Sequence, residues 1–128
     1  YGLSNGLLDI PWPKVAQGKQ MMAALAGQDS NPSAEKLFDL LQTQTTAPDE
    51  ALPATGVDLE WERALSPIFI TSPAYGTRCS SVLLIDTAGA VRFSERTWRP
   101  AQATPRCEDT RHFKLDPRGG FDPLAERT

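Results

Sequence analysis

The chain has 128 residues, with 13 basic against 16 acidic side chains and a formal charge of −3. That length is enough for one domain with a real core. So mild a charge argues against nucleic acid or an anionic membrane as partner, and no apolar run approaches the roughly 18 residues of a membrane span.

The first residues, Tyr1-Gly2-Leu3-Ser4-Asn5, read as a short extended piece entered midway, as though the chain were the C-terminal part of something longer. Pro11 and Pro13 keep Ile10 and Trp12 out of helical conformation, and Pro13 suits a first helical position. Lys14 to Ala26 then reads as a helix with Val15, Met22, Leu25 and Ala26 on one face, closed by Gly27. Lys14, in its first turn, is expected to be solvated. A second helix is expected from a cap at Asn31 or Ser33, with Pro32 in its first turn, Leu37, Leu40 and Leu41 as its stripe, and an end near Thr43. Thr45 to Thr55 is an exposed loop. Val57 to Arg63 alternates apolar and acidic residues, which suits a half-buried strand; a short helix to Leu65 is the alternative.

The centre of the chain is Ser66 to Thr97. Val82-Leu83-Leu84-Ile85 is its longest run of branched aliphatic residues. With no polar face, it predicts a strand covered on both sides. Pro67–Ile70, Ser80–Asp86 and Ala90–Thr97 are expected to be strands of one antiparallel sheet, the last two joined by the turn Asp86-Thr87-Ala88-Gly89, with both helices on one face. The loop Thr71 to Arg78 delivers an arginine to the mouth of the central strand. Arg111 to Leu115 reads as a last strand. Residues 1–115 thus form one domain and 116–128 a loose tail. The second layer that the central strand needs is expected from the missing N-terminal half.

Cys79 and Cys107 lack metal-ligand spacing. Cys79 reads as a small buried residue at a strand start; a thiol paired with His112 is the catalytic alternative. No metal site is expected.

GLSNGLLDIPWPKV at the start and SPIFITSPAYGTRCSSVLLIDTAGAVRFSERT in the centre carry a resemblance. Over about residues 1 to 98 the chain resembles the C-terminal half of the NRDE family, also called the transport and Golgi organisation protein two family. The naming Asn-Arg-Asp-Glu motif and the cysteine after the initiator Met are absent. That family itself is similar to N-terminal-nucleophile hydrolases. The resemblance therefore implies an α+β fold, the C-terminal part of an αββα sandwich of antiparallel sheets with flanking helices, in the cytoplasm. Leu3-Ser4-Asn5 followed by Pro11-Trp12, and Thr77-Arg78, look similar to segments of the choloylglycine hydrolases. Carried over, Asn5 would help form an oxyanion hole and Arg78 would support the nucleophile's charge. Trp12, Tyr75 and Asp9 would then border the substrate.

Each of these residues has a plainer reading. Asn5-Gly6 could form a turn, Arg78 could pair with Asp86 or Glu95, Asp9 could cap the turn before Pro11, and Trp12 could be a core anchor. Tyr1 cannot act as the N-terminal nucleophile, so this chain alone is expected to be inert. The partners implied are the missing N-terminal half and a small-molecule or acyl ligand. The resemblance leaves three classes open: an amide hydrolase in the intact protein, a binding protein for haem or for lipid and acyl-CoA, or a structural half-domain. No resident cofactor is expected, and haem enters only as a carried ligand.

Overall fold

The computed structural model describes residues 1–28, 31–73, 75–99, 106–116 and 120–122. In chain order these form helices α1 (Pro13–Gln28) and α2 (Ala34–Leu41), a 3-10 turn at Asp49–Ala51, helix α3 (Leu59–Leu65), and strands β1 (Cys79–Ile85), β2 (Val91–Trp98), β3 (Cys107–Asp116) and β4 (Gly120–Asp122). The strands pair antiparallel in the order β1-β2-β3-β4. The fold class is α+β.

The β1–β2 hairpin forms where its turn chemistry directs. Asp86 Oδ1 accepts from the N–H of Ala88 and of Ala90, each at 2.9 Å. Gly89 takes φ +84°, which a residue without Cβ adopts at no steric cost. From that turn the register runs Ile85↔Val91, Leu83↔Phe93 and Ser81↔Glu95.

The inner face of β1, at Ser80 and Val82, is covered by α2. Ser33 caps α2, its Oγ accepting from Lys36 N. An eight-residue helix is marginal alone, so packing holds it. Phe38 is 0% exposed and lies against Leu37 and Val82; burying such a ring contributes up to about 3 kcal/mol. The Arg96 guanidinium sits 4.2 Å from the centre of that ring and pairs with Glu35 at 2.6 Å, tying α2 to β2. Beside it, Trp98 meets Phe69 edge to face at 5.1 Å and donates its indole N–H to Ser80 Oγ at 3.0 Å.

Several expectations are corrected. Pro67–Ile70 is not a strand: Phe69 is buried, its N–H bonds Thr43 O, and only an isolated Thr71–Gly76 bridge follows. Pro67 has no N–H to give a ladder. Val57 to Arg63 is not a strand either; the alternative reading, a short helix to Leu65, is the one that forms. Asp58 caps α3 by accepting from Trp61 N, so Val57, Leu59 and Trp61 are exposed while Glu62 is buried. In α1 only Val15 is buried, Met22 and Ala26 face solvent, and Gly27 lies within the helix. Pro32 precedes the α2 cap, and Phe38, absent from the expected stripe, is its most buried residue. Among the described residues the central strand is covered on one side, with Leu83 58% and Ile85 65% exposed on the other, the side whose layer was expected from the N-terminal half. In the stretch read as a tail, Asp116 ends β3 and Gly120–Asp122 form β4; its other residues lie outside those described.

Candidate functional site

The N-terminal segment closes on itself before α1. Gly2 N donates to Asp9 Oδ1 and Asp9 N to Gly2 O, both at 2.8 Å. Asp9 takes φ +59°, a conformation that Asp tolerates better than most residues. Gly2 is needed because a Cβ there would lie 2.6 Å from Val15 Cγ1. Asn5, exposed, lies within this closed loop, and Trp12 leads into Pro13 and α1.

The facing wall comes from α3 and two loops. Glu62, 7% exposed, accepts at Oε1 from Thr55 N at 2.7 Å and Thr55 Oγ1 at 2.6 Å, which fixes the segment before α3. Arg63 pairs with Asp49 and holds the earlier 3-10 turn to the same helix. In the next loop, Ser72 N donates to Tyr75 O and Ile70 N to Thr77 Oγ1, presenting the Tyr75 ring edge-on to Trp61 at 6.4 Å.

Between these walls lies a cavity of about 340 Å³, lined by Asn5, Trp12, Lys14, Thr55, Glu62 and Tyr75 among others. Lys14 is half-buried, which corrects the expectation that it is solvated. Burial pushes its ammonium below the ordinary lysine range, and it has no hydrogen-bond or ion-pair partner among the described residues. The Glu62 Oε2 also takes no partner there. No fully buried side-chain polar atom among the described residues lacks a partner, so Oε2 is not fully buried, and Glu62 is among the residues that line the cavity. The cavity therefore offers an amide, a cation, a carboxylate oxygen and two aromatic rings.

Asn5, Trp12 and Tyr75 thus line one cavity. Arg78 and Asp9 are not on the lining. Arg78 is exposed at the foot of the loop that carries Tyr75, and its carbonyl accepts from Trp98 N. The carboxylates proposed to pair with it are engaged elsewhere, Asp86 in its own turn and Glu95 with Ser81 Oγ. The Asp9 carboxylate also accepts from Lys19 Nζ at 2.8 Å, which holds its pKa below the usual range. Lys14 and Glu62 were missed. For Glu62 the available signal was the Asp58 cap three residues before Trp61, which turns a strand-like alternation into a helix.

Cys79 and His112 do not form a catalytic pair. Ser94 pairs Val82 on one side and His112 on the other, on the inner face, and its Oγ bonds His112 Nδ1 at 2.8 Å. Cys79 is exposed, not buried, and lies on the opposite face with Ser81 and Leu83. Desolvation and the Glu95 carboxylate push its thiol up, away from thiolate.

A second, more open groove of about 640 Å³ runs between α1, α2 and β1. Val15, Leu37, Leu40, Ile68 and Val82 give it an apolar floor, and Lys14 borders it too.

The model of the family described as Transport and Golgi organisation 2 matches residues 1–100. The chain belongs to that family. It is 32% identical over 123 residues to the Transport and Golgi organization protein 2 homolog of Bos taurus, covering 90% of this chain and 44% of the relative. The Mus musculus homolog is 32% identical over 126 residues with the same coverage. The Drosophila melanogaster protein is 33% identical over 104 residues, 76% of this chain and 36% of the relative. The chain thus spans less than half the length of these relatives. None of the helices among the described residues is long and apolar enough to cross a membrane.

Proposed function

We propose that this chain forms the carbonyl-binding wall of a small-molecule site in an amide hydrolase of the N-terminal-nucleophile type. The observation that carries this reading is that Asn5 and Trp12, from the N-terminal segment, and Tyr75, from a loop far along the chain, line one cavity. The Asn5 amide N–H donates to a substrate carbonyl and holds the oxyanion as it forms. The two rings hold the rest of the substrate. A preorganised donor of this kind lowers a barrier by roughly 3 to 4 kcal/mol.

Both cysteines of this chain lie on the sheet, so the nucleophile comes from the rest of the protein. That part also covers the open sheet face at Leu83 and Ile85 and completes the sandwich. Arg78, exposed beside the Tyr75 loop, supplies positive charge to that nucleophile, since a guanidinium keeps its proton. Asp9 acts from behind, keeping the loop of Asn5 closed.

The test is hydrolysis of an acyl p-nitroanilide by the native polypeptide that carries this chain. Asn5→Ala should lower kcat/KM by about 100-fold, and Arg78→Ala should lower kcat with KM kept. Turnover unchanged in Asn5→Ala would overturn the reading.

A carrier on the same scaffold is the second reading, favoured by the apolar floor of the larger groove. That floor suits an acyl or lipid cargo. Met22 and Tyr1 also line the groove, side chains of types that can ligate haem iron, while the chain's one histidine, His112, is bonded to Ser94. A carrier would lose binding, with no turnover to lose.

A further inference from the structure

We infer that the cavity between α1 and α3 selects a small zwitterion, a molecule carrying both an ammonium and a carboxylate, with an apolar side against Trp12 and Tyr75. The inference rests on the reading of this cavity as the ligand site and names the class of ligand it takes.

Two charges of opposite sign line the cavity, and they do not neutralise each other. Burial is the one cause that shifts Lys14; no carboxylate acts on it. Glu62 spends Oε1 on Thr55 and leaves Oε2 without a partner among the described residues. A half-buried ammonium without a partner carries an unrecovered desolvation cost, and a buried carboxylate bonded at one oxygen only, as Glu62 is, carries part of one. A ligand that supplies both missing counter-charges recovers it at both ends.

Singly charged ligands fare worse. An anion gains Lys14 but meets the Glu62 carboxylate, and a cation gains Glu62 but meets Lys14. The Asn5 amide can donate to the ligand's carboxylate or carbonyl beside Lys14. A volume of about 340 Å³ lies at the small end of ligand pockets, which suits one amino-acid-sized molecule. In an amide hydrolase such a molecule would be the amine-side product, or the matching part of the substrate.

The probes are L-phenylalanine, phenylacetate and phenethylamine, which share a ring and differ in charge. Isothermal calorimetry on the native polypeptide should show L-phenylalanine binding at least about 10-fold more tightly than either analogue, as loss of one charged hydrogen-bonded contact implies. Lys14→Met should weaken L-phenylalanine to the level of phenethylamine and leave phenethylamine no weaker. Glu62→Gln should do the same against phenylacetate. If Glu62→Gln fails to fold, the three probes on the unmodified protein still decide. Equal or tighter binding of either analogue overturns the inference, and so does silence from all three at millimolar concentration. In both cases, Asn5-dependent hydrolysis of the acyl p-nitroanilide would leave the hydrolase reading standing; loss of that as well would remove both.

Discussion

Removing the Glu62 carboxylate tests how the cavity wall is built. Glu62 is 7% exposed and one of its oxygens receives two short hydrogen bonds from Thr55. Hydrogen bonds to a charged group contribute about 1.5 to 3 kcal/mol each. Thr55 is itself exposed, so water replaces part of what is lost, and burying the carboxylate already offsets some of the gain. Glu62→Ala should therefore cost about 2 to 3 kcal/mol, and Glu62→Gln, which keeps an acceptor, about 1 kcal/mol. Thr55→Val keeps the N–H donor and should cost about 1 kcal/mol. The double variant should then be less destabilised than the sum, because both changes remove the same bond. Urea unfolding of the native polypeptide, followed by circular dichroism at unchanged slope, reads all of these. A Glu62→Ala cost below about 0.5 kcal/mol, typical of a surface substitution, would refute the pinning of this wall.

Other outcomes follow from the same contacts. Phe38→Ala should destabilise by about 3 to 5 kcal/mol through the cavity it leaves, with up to about 1 more from the lost Arg96 contact, measured by the same unfolding. Lys14→Met should raise the melting temperature of the ligand-free protein at neutral pH. Burial lowers the Lys14 pKa in the folded state, so the charged form opposes folding until the pH passes the unfolded lysine range. The Asp9 carboxyl is held low by Lys19 and Gly2, so its stabilisation is present above the ordinary aspartate range and is lost as pH falls through the folded value. Melting temperatures from pH 6 to pH 2 should accordingly fall further in the unmodified protein than in Asp9→Asn.

Much of the framework was legible in the residues. The hairpin was readable because Asp86 and Gly89 determine its turn locally, and the first two helices because Pro13 and Ser33 mark their starts. The chain was also legible as family, from two long motifs. What local pattern could not supply was burial decided by distant partners. Phe38 is buried because β1 and Arg96 close over it. Leu83 and Ile85 are apolar yet uncovered by any described element, since strand composition does not say which layer is present. The α3 segment misled because its alternation of Leu59, Glu60, Trp61 and Glu62 imitates a strand, and only the Asp58 cap breaks the tie. Of the residues that line the cavity, Asn5, Trp12 and Tyr75 were singled out through the family motifs. Lys14 and Glu62 looked like ordinary surface charges, and only the fold, which brings the start of α1 and the α3 wall to one space, makes them part of a cavity.

The most direct test is a crystal structure of the native polypeptide soaked with an acyl p-nitroanilide or its hydrolysis product. The account predicts density between Trp12 and Tyr75, with the ligand carbonyl or carboxylate within hydrogen-bond distance of the Asn5 amide. Density confined to the apolar groove along α1 and β1, or to the outer face at Leu83 and Ile85, with the smaller cavity empty, would contradict it.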